Sequence, residues 1–319
     1  MTLEQKVKKI IHTAAVRRAA LCKIINWNHN LRNILRLSHP LHLLLTALTF
    51  FLGTSIANYL GKPFRTDSFW LGLIAVVLAQ ASMNLLAEVF RPPNEAIIDG
   101  ETRKDRHTLR NNALYVSIAA LTADAVIAFA LYNNRHLSIA AFFFLLLSLI
   151  LILVYAIPPF RLINRGFGEF IQAAHIAYVI PSIAYILQSD ETHQFLLLTI
   201  PLTFLAFAYF IVMDFPAFAS DAKYNRSTLL TRLGYERVVP LHHLFVLLAY
   251  LFFLAVPIFG LSLSLLWPAF LTLPFALFQI FQLRNLSLGA PVNWTLLTVT
   301  ALSVFGLTAY FLSLTFWLR

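Results

Sequence analysis

Residues 155–169 read YAIPPFRLINRGFGE and separate two long apolar stretches of the chain. This segment holds two prolines, two glycines, two arginines and one glutamate. Proline interrupts a helix, and glycine adopts backbone conformations that other residues avoid. The segment therefore predicts a short polar hinge between two helices, and the apolar runs on either side place it at the edge of a membrane domain. We refer to residues 155–169 as the hinge.

The composition of the whole chain indicates a membrane protein. Of its 319 residues, 59% are hydrophobic and only 12% are charged, whereas a soluble globular domain has about 25% charged residues. The mean hydropathy is +0.75. The single cysteine, Cys22, excludes a disulfide framework and a thiolate metal site. The N-terminus lacks the pattern of a cleaved signal peptide.

The first 38 residues differ from the rest because they are basic and amphipathic. Apolar residues recur in them at roughly helical spacing among lysines and arginines. A basic amphipathic helix of this kind lies on an anionic membrane surface, and binding to a partner protein is the alternative. The sequence thus predicts two regions: an N-terminal arm, 1–38, and a transmembrane domain, 39–319.

Nine apolar runs in the second region are long enough to cross a bilayer, which takes about 20 residues per helix. They are 41–60, 69–90, 112–132, 137–156, 167–187, 195–214, 239–259, 262–283 and 294–317. The fold class predicted is an all-α membrane protein with about nine transmembrane helices around a central cavity. The fifth run is the most polar, and only residues 257–260 mark the turn between the seventh and the eighth.

The placement of lysine and arginine predicts the orientation of these helices. With nine spans and a cytoplasmic N-terminus, 20 of the 24 Lys and Arg residues fall on the cytoplasmic side. This asymmetry matches the excess of positive charge in cytoplasmic loops of membrane proteins. It also accounts for the net charge of +10, so the sequence predicts no nucleic-acid partner. The long polar connections lie on the same side, and we expect any active face to be cytoplasmic.

A polar segment at residues 213–234, MDFPAFASDAKYNRSTLLTRLG, carries carboxylates and cations at a membrane boundary. Asp214 and Asp221 are two helical turns apart and share a face of a helix, with Lys223 and Arg226 close behind. Carboxylates can hold Mg²⁺ together with substrate phosphates, while basic residues neutralise the remaining charge. The alternative is a solvated loop with ordinary ion pairs. We call residues 213–234 the second acidic segment.

These segments resemble motifs of the UbiA superfamily of intramembrane prenyltransferases. The hinge is similar to that family's YSxPPxRLKxRGxGE pattern, with Asn164 where lysine is frequent. The second acidic segment is similar to FPDxxxDxxxGxxTLxxxLG, but Ala217 stands at the first aspartate and Asn225 at the glycine. Residues 36–61 resemble the first span of these enzymes.

The family's other motif, NxxxDxxxD, corresponds to the first acidic segment, residues 84–106 (NLLAEVFRPPNEAIIDGETRKDR). One register aligns Asn84 and Glu88 with the asparagine and the first aspartate, and places Pro92 at the second aspartate. The other register places Ala87 at the asparagine, Arg91 at the first aspartate and Glu95 at the second. Both registers leave the motif incomplete.

The resemblance implies the transfer of a prenyl group from an allylic prenyl diphosphate to an aromatic or quinone-precursor acceptor, assisted by Mg²⁺. The residues expected to be catalytic are Asp214 and Asp221. The residues expected to bind substrate are Tyr155, Arg161, Arg165, Lys223 and Arg226. The residues expected to bind metal are Asn84, Glu88, Glu95, Asp214 and Asp221.

The incomplete acidic motifs keep a second function open: a non-catalytic relative that binds a prenyl lipid or quinone, or that serves as a membrane scaffold. A secondary transporter is a weaker alternative, because the sequence has neither repeated halves nor two matched Gly/Pro-interrupted spans. The partners expected are a prenyl diphosphate, a small aromatic acceptor and the lipid bilayer. The expected location is a bacterial-type cell membrane.

Overall fold

The computed structural model describes residues 30–92, 94–98, 101–134 and 136–319 and has no strand in these ranges. Nine of its helices are long and apolar enough to cross a membrane. In chain order they are α1 (Pro40–Tyr59), α2 (Thr66–Val89), α3 (Arg103–Asn133), α4 (Ile139–Ala156), α5 (Gly168–Ser189), α6 (Gln194–Lys223), α7 (Tyr235–Ile258), α8 (Leu263–Ser287) and α9 (Trp294–Leu318). The predicted all-helical membrane fold is therefore confirmed. Its orientation and the two-region division stay predictions.

Two helices extend beyond their predicted apolar runs. Helix α3 begins at Arg103, because Thr102 and Asp105 form a capping box that satisfies the free N–H groups of its first turn. Helix α6 continues past Asp214 through a tight turn and ends at Lys223. Polar ends of this kind cannot be located by hydropathy alone. Of the predicted arm, residues 1–29, including Cys22, lie outside the described residues, while residues 30–37 are helical.

Helix α5 lies at the centre of the bundle, and most of its residues are buried. Its polar side chains are tolerated there because they bond to each other across helices. The ring of His175 is fully buried and contacts Ser148 Oγ at 2.8 Å and Gln80 Oε1 at 2.8 Å. Residues 175–179 form a π-helical turn at this point. His175 is thus a hydrogen-bonded core histidine.

The outer helices expose large apolar side chains. On α4, Phe142 and Phe143 are 57% and 59% exposed, and on α3, Phe129 is 68% exposed. An apolar surface this extensive is unfavourable in water and favourable against lipid. The exposed faces of α3 and α4 therefore support the assignment of the chain as an integral, multi-pass membrane protein.

Gly53 allows α1 to approach α5 closely. A methyl group added at Gly53 would lie 2.0 Å from the carbonyl oxygen of Pro181 and 2.8 Å from Cβ of Ala184. Because both obstacles belong to a packed helix, we expect Gly53→Ala to destabilise the protein by about 1–3 kcal/mol. The measurement is the melting temperature in detergent. Gly306→Ala is the matched control, because its added methyl would meet no atom closer than 3.4 Å; equal melting temperatures for the two variants would contradict the prediction.

The two ends of the bundle differ in how their loops are held. At one end, Lys62 pairs with Glu191 at 2.5 Å and Arg65 pairs with Asp190, which ties the α1–α2 connection to the α5–α6 connection. The other end carries the hinge and both acidic segments. This second end contains the polar cavity described next.

Candidate functional site

A polar cavity of about 250 Å³ opens at the hinge end of the bundle. It lies between the start of α1, the end of α2, the hinge, the start of α5 and the end of α6. Its polar lining residues are His39, His42, Asn84, Glu88, Arg91, Tyr155, Arg161, Asn164, Glu169, Gln172, Asp214, Asp221, Arg226 and Thr228. Four parts of the chain that are far apart in sequence therefore meet around one space.

The hinge directs its two arginines differently. Arg161 has a left-handed backbone (φ 38°) and lines the cavity. Arg165 follows a short 3₁₀ turn, is exposed, and donates from Nη2 to the carbonyl oxygen of Pro159 at 2.7 Å. The resemblance implied that both bind substrate, but of the two only Arg161 lines the cavity. The reason is the left-handed backbone at Arg161, because it prevents Arg161 and Arg165 from lying on one helical turn.

Arg161 enters the cavity without an anionic partner. Its Nε is buried and has no hydrogen-bond partner among the described residues. Burial lowers the pKa of the Arg161 guanidinium, and the charge of Arg226 nearby lowers it further. A half-buried cation in this position loses part of its hydration, and an anion that reaches it compensates for the loss. Arg161 is therefore the strongest candidate in the cavity for binding an anionic ligand.

Glu169 connects the hinge to the second acidic segment. Its Oε1 accepts a hydrogen bond of 2.7 Å from the backbone N–H of Leu229. This N–H belongs to the first turn of the short helix Leu229–Leu233, which Thr228 also caps. Gly166, with φ +71°, packs against the side chain of Arg232 from the same short helix. The hinge and the second acidic segment thus form one wall of the cavity.

The carboxyl groups of Asp214 and Glu169 lie next to each other in this wall. Asp214 Oδ2 and Glu169 Oε2 are both buried and have no hydrogen-bond partner among the described residues. Each of these two oxygens is therefore free to accept a hydrogen bond from a ligand in the cavity.

The remaining acids of the cavity wall are bound to two arginines, Arg91 and Arg226. Arg91 donates from Nη2 to Glu88 Oε1 at 2.6 Å and from Nη1 to Glu95 Oε1 at 3.3 Å. Arg226 donates from Nη1 to Asp221 Oδ1 at 3.2 Å and also contacts Glu95. Burial opposes the charge of Arg226, but the hydrogen bond to Glu95 and the negative charges of Glu95, Asp221 and Glu88 together outweigh it and raise the pKa of Arg226. We call these five side chains the arginine–carboxylate chain.

Amide side chains form the floor of the cavity. Asn84 Oδ1 accepts from Gln80 Nε2 at 3.1 Å and from Gln172 Nε2 at 3.0 Å, and Asn84 Nδ2 donates to the carbonyl oxygen of Ser38. Gln172 Nε2 also donates to the hydroxyl of Tyr155 at 3.1 Å. Tyr155 and Asn84, both predicted as site residues, are thereby held rigidly at the cavity.

The structure brings most of the predicted site residues together. Those that line the cavity are Asn84, Glu88, Tyr155, Arg161, Asp214, Asp221 and Arg226. Glu95 lies behind this lining and reaches it through the two arginines. Arg165 and Lys223 do not line the cavity; the ammonium of Lys223 lies 5.4 Å from the ring centroid of Tyr224. Asp214 and Asp221 reach the same cavity although a tight turn interrupts the helix between them.

The sequence-based prediction of the site omitted several lining residues. They are His39, His42, Arg91, Glu169, Gln172 and Thr228. Glu169 and Thr228 both match the family motifs, so the motif match could have identified them as site residues from the sequence. The position of His42 depends on how α1 packs against Phe210 of α6, which a single sequence does not reveal.

The predicted metal-binding residues do not fit a magnesium ion in this arrangement. Mg²⁺ requires oxygen ligands in near-ideal octahedral geometry. The described residues contain no group of three Asp, Glu, His or Cys side chains that could hold a metal ion. Glu88, Glu95 and Asp221 are paired with arginines, and Asn84 Oδ1 already accepts two hydrogen bonds, which uses both of its lone pairs.

Comparison with known protein families gives a single clear match. A model of the UbiA prenyltransferase family matches residues 43–288. This range covers more than half of the chain and contains the hinge and both acidic segments. A search among curated proteins finds no match.

Solved structures share the fold over most of the chain. One is a UbiA homologue from Archaeoglobus fulgidus bound to GPP and Mg²⁺, with a TM-score of 0.62 and 17% identity, covering 90% of this chain and 100% of that one. The same homologue bound to DMAPP and Mg²⁺ gives 0.61 and 15%, covering 88% and 99%. The apo structure of a UbiA homologue from Aeropyrum pernix K1 gives 0.53 and 11%, covering 85% and 96%. At these identities the likeness supports the fold alone.

Proposed function

Because the chain belongs to the UbiA prenyltransferase family, we propose that it transfers a prenyl group from an allylic prenyl diphosphate to an aromatic or quinone-precursor acceptor within the membrane. The observation that carries this proposal is Arg161, a half-buried cation that lines a polar cavity and has no anionic partner among the described residues. The diphosphate of such a substrate supplies the missing anion. Its apolar tail suits the surrounding membrane helices.

The diphosphate end binds in the cavity beside Arg161. Guanidinium groups recognise phosphate oxygens through pairs of parallel N–H donors, and the arginine–carboxylate chain provides two more guanidinium groups in the same wall. Tyr155, held by Gln172, presents a hydroxyl at the edge of the same cavity. These groups stabilise the negative charge that builds up on the diphosphate as it leaves.

The chemistry breaks one bond and forms another. The carbon–oxygen bond between the prenyl group and the diphosphate breaks, and both of its electrons leave with the diphosphate. The resulting allylic cation is attacked by a carbon of the acceptor, and a new carbon–carbon bond forms. The acceptor then loses the proton from that carbon. Asp214, next to Glu169 and with a free buried oxygen, is the group that takes this proton.

The apolar helices behind the cavity protect the cation. Water that reached it would quench it to an alcohol, and an apolar surrounding excludes this side reaction. Helices α5 and α6 behind the cavity are largely buried. The active face lies on the cytoplasmic side in this proposal, because 20 of the 24 Lys and Arg residues fall on the hinge side of the nine spans.

Magnesium, the predicted cofactor, is present in the A. fulgidus homologue together with GPP or DMAPP. If bound here, Mg²⁺ supplies additional positive charge to the departing diphosphate. The steps above are assigned to the residues of this chain alone, because the predicted metal residues do not fit the ion in the arrangement described.

The experiment that tests this function is an assay of prenyl transfer by the purified protein. A labelled prenyl diphosphate is incubated with hydroxybenzoic and hydroxynaphthoic acids, and both the released diphosphate and the labelled lipid product are measured. We expect equal amounts of the two, because each transfer releases one diphosphate. Diphosphate binding without any release, for every prenyl length and acceptor class tried, would contradict the transferase proposal.

The alternative function, a non-catalytic relative that binds a prenyl lipid or quinone or acts as a scaffold, has one observation in its favour. Ala217, and either Pro92 or Arg91 according to the register, stand at positions where the resemblance predicts carboxylates. A lipid-binding protein of this kind would bind an isoprenoid without discriminating between its diphosphate and its alcohol. A measurement that compares the binding of the diphosphate with that of the alcohol therefore distinguishes the two functions.

A further inference from the structure

The arginine–carboxylate chain crosses the cavity wall from the first acidic segment to the second. It runs from Glu88 through Arg91 to Glu95, and from Glu95 through Arg226 to Asp221. Each guanidinium is therefore bound to two carboxylates. The chain joins the end of α2 to the end of α6, and both arginines line the cavity.

The carboxylates of this chain are buried, whereas its arginines reach the open space. Glu95 and Asp221 are each 2% exposed. The side chains of Arg91 and Arg226 are each 19% exposed. A ligand in the cavity therefore meets guanidinium groups that are more exposed than the carboxylates, although Glu88 and Asp221 also line the cavity and only Glu95 lies behind it.

The position of Arg91 in the sequence corresponds to a carboxylate of the family motif. In the second of the two registers it replaces the first aspartate of NxxxDxxxD, while Glu95 falls on the second aspartate. A cation thus lies where the motif has a metal-binding carboxylate. In the fold this cation donates to Oε1 of both neighbouring glutamates, so its positive charge lies where a metal ion bound by these carboxylates would have to lie.

We propose that Arg91, Arg226 and Arg161 are the cations that bind the diphosphate, so that substrate binding in this protein does not require a divalent metal ion. This inference rests on the proposed function. A guanidinium has five N–H donors. Arg91 directs three of its nitrogens and Arg226 two at the carboxylates, and each retains N–H groups for phosphate oxygens.

The charges indicate how this site differs from a metal site. The three carboxylates of the chain equal in number the three arginines Arg91, Arg226 and Arg161, and Asp214 and Glu169 line the cavity as well, so the cavity has no excess of positive charge before ligand binds. The diphosphate is therefore held by directed N–H donors in a desolvated cavity rather than by an excess of positive charge. Hydrogen bonds to charged groups remain strong under such conditions.

The test is the binding of geranyl diphosphate to the full-length protein in detergent, once with EDTA and once with millimolar Mg²⁺. We expect dissociation constants that agree within about threefold, because the cations are part of the chain. Arg91→Gln and Arg226→Gln are each expected to weaken binding by about tenfold in EDTA, the effect of losing one charge-assisted hydrogen bond. Arg284→Gln, an exposed arginine in the last turn of α8, is the control and is expected to bind as the wild type does.

A second variant keeps the test independent of folding defects. Arg91→Asp restores the carboxylate of the motif beside Glu88 and Glu95. We expect its binding to be weak in EDTA and to recover at least tenfold with Mg²⁺, because three carboxylates then share one space. A misfolded protein cannot acquire a dependence on metal, so this gain supports the inference directly.

Two results would overturn the inference, and they differ in whether they also contradict the proposed function. Wild-type binding that disappears in EDTA and returns with Mg²⁺ would overturn the metal-free site but leave the proposed prenyl transfer intact. The absence of binding under both conditions would overturn the inference and the proposed function together.

Discussion

Replacing Arg161 with glutamine is expected to weaken the binding of a prenyl diphosphate by about 100-fold. Arg161 is the one cavity-lining arginine without a carboxylate partner among the described residues, so its charge is wholly available to the ligand. Removing one member of a buried charge pair costs about 2–5 kcal/mol, and about 2.7 kcal/mol corresponds to 100-fold in affinity. Glutamine keeps the polar character and much of the length of the side chain. The dissociation constant is measured on the purified protein in detergent.

The control for this prediction is Arg237→Gln, an exposed arginine in the first turns of α7. It loses the same charge from the chain without touching the cavity. We expect its affinity to match that of the wild type. Equal weakening by both substitutions would mean that net charge, and not the position of Arg161, attracts the ligand, and the assignment of Arg161 would fail.

The substitution Asp214→Asn is expected to lower the rate of prenyl transfer by about 100-fold or more, while the affinity for the diphosphate changes by less than about threefold. Asparagine has nearly the same shape as aspartate but cannot take a proton, and loss of a general base typically costs about 10²–10⁴ in rate. Asp214 Oδ2, like Glu169 Oε2 beside it, is buried and has no hydrogen-bond partner among the described residues. The measurements are the rate constant of a single turnover and kcat at steady state.

The matched control is Asp67→Asn, an exposed aspartate in the first turn of α2, at the opposite end of the bundle. Its kcat is expected to remain at the wild-type value. If Asp214→Asn weakened binding as strongly as it lowered the rate, the carboxyl group would act in holding the substrate, and the proton would have to leave by another route.

The fold was predictable from the sequence because each span depends on its own local composition. Runs of about 20 apolar residues identified all nine helices, and the turn at residues 257–260 was located from Pro257 and Gly260 alone. The ends were less predictable. Helix α3 begins with polar residues because Thr102 and Asp105 cap it, and such a start has no hydropathy signal.

The site was predictable as a set of segments but not as a set of contacts. Matching to motifs brought the hinge and both acidic segments together, and seven predicted residues line the cavity. What single-sequence reasoning could not reveal is how charges pair over long sequence separations, such as Glu95 with Arg226. The direction of Arg165 likewise depends on the left-handed backbone at Arg161, which side-chain spacing does not encode.

The most direct test of the central claim compares the binding of geranylgeranyl diphosphate and geranylgeraniol to the wild type and to Arg161→Gln. The two ligands share the tail and differ only in the diphosphate. We predict that the wild type binds the diphosphate at least tenfold more tightly than the alcohol, and that Arg161→Gln removes this preference. Equal binding of both ligands by the wild type would contradict a diphosphate site in the polar cavity and would favour a lipid-binding relative.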